Sequence, residues 1–344
     1  NGPATSATMN FPSGVVASSD GDIFFADSSN YRIRKIDRTS GVITTVAGNG
    51  VFGAWGDNGP ATSAQLGLIG SLAINSAGDL FLADHALHCI RKVSRATQII
   101  TTVAGVCGYS NRGYLGENVS AVVAKFDISF GVAVSRTGEM AIADRNNYRV
   151  RKVTTDGIIH TVAGNGVQGF SGESGIAIDS KLNMPTSVAV TNDGEIVISD
   201  SGNQKIRKLD KHGVITAVAG MGVEGFSGDG GSALNALVNN AGKVVVTSTG
   251  DVLFADTGNN RIRKVDSSSG TIVTIAGNGA AGFTGDGALA TTAALNQPQS
   301  IACLNGEVYI ADTGNHRVRK IIADGTIVTI AGTGMSGYSG DGGL

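Results

Sequence analysis

The sequence lacks the features that mark several classes of protein. Its 344 residues contain 3 Cys, 5 Pro and 1 Trp, and 26 Lys plus Arg face 28 Asp plus Glu, for a formal net charge of -2. Without a basic excess, binding to a nucleic-acid backbone is not expected. Membrane insertion is not expected either, since no run approaches the ~18 to 20 apolar residues that span a bilayer. Three cysteines in so long a chain also exclude a small disulfide-stapled domain.

The sequence is rich in glycine and in short apolar runs. With 51 Gly, 41% hydrophobic and 16% charged residues, the composition is that of a folded protein and not of a disordered one. Runs such as 22–26 and 42–46 are β-branched or aromatic and bounded by Gly, Asp and Ser, which predicts strands. The chain begins at Asn1 without an initiator Met or a leader, and we expect a domain of a larger multidomain protein.

One unit recurs six times along the chain, and this repeat overrides the two domains that length alone would predict. Each unit has an Asp anchor, an Arg-Lys pair starting seven residues later, and a Gly that ends a Val/Ile-Ala-Gly triplet 20 or 21 residues after the Asp. The anchors are Asp27, Asp84, Asp144, Asp200, Asp256 and Asp312. The arginines are Arg34, Arg91, Arg151, Arg207, Arg263 and Arg319. Insertions fall after the Gly, as expected for a surface loop.

Each unit contains four predicted strands, which we name A to D. Six such units predict an all-β, six-bladed β-propeller with four antiparallel strands per blade and a single domain over 1–344. A solenoid would need atypical end units, whereas the first and last units here match the others. The tail 339–343 and the opening 1–7 together imitate the internal linker 56–64, so we expect the termini to meet in the sixth linker. The predicted blades, joined by long D–A linkers, are 14–48, 71–105, 131–164, 187–220, 243–277 and 300–332.

The anchor segments carry a resemblance to a known family. Segment 26–35 reads ADSSNYRIRK and segment 255–264 reads ADTGNNRIRK, and both resemble NHL repeats. The linkers 225–230 and 282–287, GFSGDG and GFTGDG, are similar to a long-linker variety found in bacterial and protist surface or secreted proteins and, more distantly, in the teneurin ectodomain. The resemblance implies the propeller fold over the whole chain. It implies functions ranging from protein, RNA or small-ligand binding to lyase or lactonase activity.

Residues that recur in every unit are expected to hold the blades together. Each Asp anchor ends strand B, where its carboxylate can accept N–H bonds from the turn that follows. The arginines are expected to pair with carboxylates or carbonyls, and a ring that binds anions is the alternative. The linker carboxylates are interpreted as turn caps, with calcium in the linkers or channel as the alternative. They are Asp57, Glu117, Glu173, Asp229, Asp286 and Asp341.

No catalytic constellation stands out, and we predict no cofactor. Lactonase-like propellers hold a metal through carboxylates on their inner strands, and the predicted A strands here contain none. His85 and His88 could share a metal with Cys89, but no further ligand lies nearby in sequence. A metal-dependent lactonase-like or lyase-like enzyme and an RNA-binding NHL domain remain the alternatives to a non-catalytic binding domain. RNA binding would show as affinity that falls steeply with salt.

The repeat is broken most in blade 2 and the linker after it. Cys89 opens strand C and Cys107 follows strand D, so the two cysteines face each other across an antiparallel pair and predict a disulfide. Cys303 is expected to be buried and inert. The disulfide and the sequon at 118–120 both point to an extracellular or cell-surface protein.

The B–C turns and the D–A linkers emerge on one face of a propeller, and this face is the predicted binding surface for a protein or glycan partner. Trp55, which stands where we expect the Phe of other linkers, and Tyr114 are the strongest contact candidates, because aromatic anchors dominate interface energetics. The alternative to a binding domain is a rigid spacer without a partner. The candidate partner-binding residues are Trp55, His85, His88, Arg112, Tyr114, Arg145, Tyr148 and His316.

Overall fold

A computed structural model describes residues 2–341, which form six β-sheets arranged around a central channel. The second strand of each sheet is a short apolar run in which nearly every side chain is buried, as expected for strands covered on both faces. The prediction of an all-β, six-bladed propeller is confirmed. Blades 1 to 3 contain, in chain order, β1 (Pro12–Ala17), β2 (Ile23–Asp27), β3 (Arg32–Ile36), β4 (Ile43–Ala47), β5 (Gly59–Pro60), β6 (Ile69–Ile74), β7 (Leu80–Asp84), β8 (Cys89–Val93), β9 (Ile99–Ala104), β10 (Val119–Ser120), β11 (Ser129–Val134), β12 (Met140–Asp144), β13 (Arg149–Val153) and β14 (Ile158–Ala163).

Blades 4 to 6 repeat the same antiparallel order. Their strands are β15 (Gly175–Ile176), β16 (Pro185–Val190), β17 (Ile196–Asp200), β18 (Lys205–Leu209), β19 (Val214–Ala219), β20 (Ala241–Val246), β21 (Val252–Asp256), β22 (Arg261–Val265), β23 (Ile272–Ala276), β24 (Ser300–Leu304), β25 (Glu307–Asp312), β26 (Arg317–Ile321) and β27 (Ile327–Ala331). In every blade the second and third strands pair the Asp anchor with the residue five positions later, as in Asp27 with Arg32. This constant register places each anchor at the same end of its blade.

The linkers add a short outer strand that the sequence did not reveal. Segment Gly59–Pro60 pairs with Ile100 and Ile99 on the outermost strand of blade 2, and blades 3 and 4 gain the equivalent strands β10 and β15. Three of the six sheets are therefore five-stranded. In the other three blades an isolated bridge, such as that between Pro3 and Val42, takes the place of this strand.

Helical structure within residues 2–341 is confined to three-residue 3₁₀ turns, and none of these is long or apolar enough to cross a membrane. Five B–C turns and six linkers carry them. They are Ala4–Ser6, Ser28–Asn30, Ala61–Ser63, Ala121–Val123, Arg145–Asn147, Ala177–Asp179, Ser201–Asn203, Ala233–Asn235, Thr257–Asn259, Ala290–Thr292 and Thr313–Asn315.

The hydrophobic core is divided among six clusters, each lying between adjacent blades. Between blades 1 and 2, for example, Ile33 packs with Leu66, Leu72 and Leu82, all of them fully buried. The inner strands contact one another in a closed ring, which ends with β24 against β1. Because the ring is closed, the free edges of the innermost strands are short and protected within the channel.

Ring closure brings the two ends of the described chain together. Gly2 donates its N–H to the carbonyl of Gly340 at 2.8 Å, and Thr8 donates its N–H to Ser339 Oγ at 2.9 Å. The sixth linker is thus assembled from both ends. The asparagines of the B–C turns donate to linker carbonyls, as Asn30 Nδ2 does to Gly337 at 2.7 Å. Turns and linkers therefore share one face, which we call the top face.

Candidate functional site

The Asp anchors tie the top-face turns to the inner strands. Asp27 Oδ1 accepts an N–H bond from Asn10, just ahead of the inner strand, at 2.7 Å, and an amide bond from Asn30 at 2.8 Å. The backbone donor thus comes from the incoming segment, whereas the sequence analysis expected it from the turn. Only blade 2 has the expected bond as well, from Leu87 N to Asp84 at 3.2 Å. Burial raises the pKa of Asp84 and Asp144 to about 7.

The six arginines of the repeat are fully buried and latch the linkers onto the blades. Arg263 lies 3.5 Å from the carboxylate of Asp256 and 2.7 Å from that of Asp229 in the linker. Asp229 also accepts the N–H of Thr274 on the outermost strand at 3.1 Å. Glu173 is an exception, since it pairs with Lys205 at 3.8 Å. The same linker latch joins Arg34 to Asp341, Arg91 to Asp57, Arg151 to Glu117 and Arg319 to Asp286.

Linker aromatics stack against a cation that opens the third strand of each regular blade. Tyr114, a predicted contact residue, belongs to this set, because its ring lies 3.9 Å from the guanidinium carbon of Arg149 and its hydroxyl donates to Glu117 at 2.7 Å. The ring is partly exposed but has a structural partner. The other stacked pairs are Tyr338 with Arg32, Phe170 with Lys205, Phe226 with Arg261 and Phe283 with Arg317.

Blade 2 has lost both members of this stack. Cys89 takes the place of the cation and forms the predicted disulfide with Cys107, with a Cα separation of 5.1 Å. Ala54 takes the place of the aromatic ring. Trp55 therefore aligns with Ser227 and its equivalents, which corrects the expected match with Phe. Its side chain is 81% exposed, and Tyr109 in the following linker is 75% exposed. Both linkers that flank blade 2 thus present an unstacked aromatic to solvent.

Two of the predicted histidines join neighbouring blades. His88 Nδ1 accepts the N–H of Ile128 at 3.0 Å, and His316 Nδ1 accepts that of Phe11 at 3.2 Å. Gln204 fills the same position in blade 4 and accepts the N–H of Asn240 at 2.8 Å. In four blades the position is therefore an inter-blade contact, which the sequence could have revealed because His, Gln and Asn side chains each offer an acceptor.

The remaining candidates differ in exposure. Arg112 is exposed on the linker after blade 2, and Tyr148 is half-buried with a left-handed backbone, φ 53°. Cys303 is a free cysteine that is only partly buried, whereas the sequence analysis expected it to be buried. Its surroundings raise the pKa of the thiol to about 12, so the group is protonated and unreactive at neutral pH.

His85 and Arg145 meet at the top of the central channel. The His85 ring lies 5.0 Å from that of Phe130, and the Arg145 guanidinium carbon lies 5.8 Å from the same ring. Burial and, next, the nearby Arg145 charge lower the pKa of His85 to about 4, so the imidazole is neutral at neutral pH. Sequence reasoning missed Phe130. It could have been found as the one aromatic residue at its strand position, where the other blades have Ser, Gly, Thr or Gln.

The channel itself is apolar apart from one amine. Lys243 Nζ reaches across the ring and donates to Ser71 Oγ at 2.8 Å, to Leu72 O at 3.0 Å and to Val132 O at 3.4 Å. No carboxylate pairs with it within residues 2–341, and burial lowers its pKa to about 8. A cavity of about 280 Å³ continues along the apolar parts of the inner strands. Over the same described residues, no three His, Cys, Asp or Glu side chains lie close enough together to hold a metal ion.

The fold and the repeated anchors define the chain as a six-bladed β-propeller. Comparison with known proteins adds the family of the repeat, since the model of the NHL repeat matches residues 182–209 and 295–321. These segments contain the first three strands of blades 4 and 6, with their Asp anchors and arginines, and the anchors and arginines recur in all six blades. The chain is therefore a six-bladed propeller in which blades 4 and 6 match the NHL repeat.

Relatives and solved structures agree with this assignment. Human Teneurin-1 is 28% identical over 229 residues, which is 61% of this chain and 8% of Teneurin-1. An auxiliary nutrient binding protein from Bacteroides ovatus superposes with a TM-score of 0.66 at 18% identity, over 95% of this chain and 72% of that one. A catalytically inactive virginiamycin B lyase from Staphylococcus aureus gives 0.55 at 14% identity, over 97% and 88%. At these identities the two structures show a shared fold alone.

Proposed function

We propose that the protein is a non-catalytic recognition domain of the cell exterior that binds a protein or glycan partner through its top face. The observation that carries the proposal is the exposure of Trp55, at 81%. A tryptophan left in water forgoes the free energy of burying a large aromatic surface. Such residues are the anchors that interfaces use most.

The local structure shows that Trp55 has replaced a residue with a structural task. In four of the other linkers a Ser or Thr hydroxyl at this position accepts a backbone N–H, as Ser171 Oγ does from Lys181 at 2.9 Å. The linker after blade 2 has Leu115 there, and its carbonyl accepts the N–H of Lys125 at 3.0 Å. In the first linker the carbonyl of Trp55 accepts the N–H of Gln65 at 2.9 Å instead. The contact is made by the backbone and not by the indole, which supports a role of the indole in binding.

The groups that line the channel support a non-catalytic function. The Lys243 ammonium occupies the axis near the top face and is bonded to neutral oxygens of blades 2 and 3. A cation at this place repels a second cation, and the donor set of Ser, Gly and apolar residues around it suits no divalent metal. The Cys89 to Cys107 disulfide supports an extracellular location, because disulfides persist in oxidising compartments.

The test is to probe the purified chain against arrays of glycans and of extracellular protein domains. We expect a ligand whose affinity falls on the order of 100-fold in Trp55→Ala, since central aromatic anchors contribute most of an interface's affinity. Ile178→Ala is the matched control, because Ile178 is 49% exposed on the outer turn Ala177–Asp179. A ligand that binds wild type and Trp55→Ala equally would contradict this use of the top face.

A further inference from the structure

We propose that the top entrance of the channel between blades 2 and 3 binds an organic carboxylate, held by Arg145 and His85 against the ring of Phe130. Such a site deepens the recognition function proposed above and rests on it, because it gives the chemical class of the group that the top face selects. The site lies on the blade 2 side of the molecule, where the repeat is broken most.

Four blades show what the two site positions normally do. The residue after each Asp anchor is there a Ser or Thr whose hydroxyl donates to a carbonyl at the start of the next inner strand. Thr257 Oγ1 donates to Pro298 O at 2.7 Å, and Thr313 Oγ1 donates to Pro12 O at 2.6 Å. Ser28 and Ser201 make the same bond to Ile69 and Ala241. This hydroxyl clamp holds neighbouring blades together at the channel entrance.

Blades 2 and 3 lack this hydroxyl clamp. His85 and Arg145 occupy the equivalent positions, and neither side chain makes a hydrogen bond to any part of residues 2–341. His85 Nδ1 and Arg145 Nε are both buried without a partner. A buried polar atom without a partner destabilises a fold by roughly 1 to 3 kcal/mol. The two unpartnered groups lie at equivalent positions of neighbouring blades, where a Ser or Thr would form a hydrogen bond. We infer that such groups are retained to bind a ligand.

The space for a ligand adjoins His85 and Phe130, and Arg145 lies against the same Phe130 ring. A cavity of about 150 Å³ is bounded by His85 and Phe130, with Phe11 and Leu68 on its apolar side. Gly70 keeps it open, because a Cβ there would lie 3.0 Å from the carbonyl oxygen of Phe130 and 3.2 Å from His85 Nδ1. The cavity accepts a body of the size of one ring. The polar lining comes from hydroxyls and one amide, Ser13, Ser28, Ser29, Gln299 and Thr313.

The charges select the class of ligand. Arg145 is the cation that lies against Phe130, no ion pair within residues 2–341 involves it, and the His85 imidazole is neutral. The Lys243 ammonium, the other cation near the top face, already donates to three oxygens of blades 2 and 3. A single guanidinium matches a monoanion, and its two parallel N–H groups fit the two oxygens of a carboxylate. A phosphate monoester carries nearly two charges and would leave one unpaired. The apolar wall of Phe11, Leu68 and Phe130 then contacts the body of the acid.

A carboxylate of this kind can come from a free aromatic acid or from an acidic sugar at the end of a glycan. The experiment is therefore isothermal titration of the full chain with benzoate and, in a separate arm, with glucuronate. Benzamide and methyl glucoside are the uncharged controls. We expect one acid to bind and its uncharged control to bind at least about tenfold more weakly, because a charge-assisted pair is lost.

Arg145→Thr is the deciding variant, since Thr257 and Thr313 show that threonine at this position forms the clamp. It should fold at least as stably as wild type and bind the acid at least about tenfold more weakly. Arg136→Thr is the control, because Arg136 is exposed on the A–B turn of the same blade. Absence of binding by both acids at millimolar concentration, or equal binding by wild type and Arg145→Thr, would overturn the site. Either result leaves the Trp55 test unaffected, so the two proposals fail separately.

Discussion

Blades 5 and 6 and blades 2 and 3 share one backbone but use it differently. In blade 5, Thr257 clamps the next blade, Asn259 binds the anchor and the linker, and Arg261 stacks on Phe226. In blade 2 the corresponding residues are His85, Leu87 and Cys89, and none of the three interactions is present. The anchor of blade 2, Asp84, is nevertheless kept. The comparison teaches that the anchor, the buried Arg91 and the disulfide are enough to maintain the blade, and that the other repeated contacts can be exchanged for surface chemistry.

The buried arginines give the largest expected difference between the two regions. Arg263 in blade 5 donates to Leu237 O at 2.7 Å and to Ser227 O at 2.9 Å, besides pairing with two carboxylates. Arg263→Ala should lower the free energy of unfolding by about 3 to 5 kcal/mol, because it leaves a buried carboxylate without its cation. Nε has no hydrogen-bond partner in either arginine, but in Arg151 of blade 3 one terminal nitrogen also lacks one. Arg151→Ala should therefore be less destabilising.

Chemical denaturation of the two alanine variants measures this difference directly. Phe226→Leu serves as a control for the folding of blade 5 without a change of charge. Equal losses for Arg263→Ala and Arg151→Ala would show that the unpartnered nitrogens carry no energetic meaning.

The disulfide should restore in blade 2 part of what the lost contacts remove. It closes a loop with a sequence separation of 18 residues, and a loop of that size is stabilised by roughly 3 kcal/mol. The double variant Cys89→Ala with Cys107→Ala should lose about that much, with early hydrogen exchange confined to blade 2 and its linkers. Cys303→Ala is the control, since that cysteine is free. Loss of protection spread evenly over all six blades would argue against a local role.

Lys243 predicts a pH dependence that the regular inner strands lack. Its pKa is about 8 in the folded chain and about 10.4 when unfolded. Between these values the unfolded chain holds more protons, so the free energy of unfolding rises with pH. Relative to Lys243→Met, wild type should gain about 2 to 3 kcal/mol from pH 7.5 to 10. Parallel curves for the two proteins over that range would mean that the amine is not desolvated in the channel.

Sequence reasoning reached the fold because the fold is encoded six times. The Asp27 and Arg34 series recur with constant spacing, and six copies of a four-strand unit leave few architectures open. The Cys89 to Cys107 pair followed from the register of two antiparallel strands. The channel entrance was harder to predict from the sequence, because His85, Phe130 and Arg145 come from three separate segments. Whether these segments meet depends on how blades 2 and 3 are inclined around the ring. Lys243 was visible as a lone charge on an inner strand, but only the closed ring shows which oxygens it reaches.

Trp55 offers the smallest expected effect on stability and the sharpest contrast with the stacked aromatics. Because its side chain is 81% exposed, Trp55→Ala should change the free energy of unfolding by no more than about 0.5 kcal/mol. Phe226→Ala, which removes a ring lying 3.5 Å from the Arg261 guanidinium, should lose about 1 to 2 kcal/mol. Thermal or urea unfolding of both variants decides the matter. If Trp55→Ala lowered the free energy of unfolding as much as Phe226→Ala, the indole would contribute to the fold. Trp55 would then not be a free binding anchor, and the linkers that flank blade 2 would not differ from the regular ones in this respect.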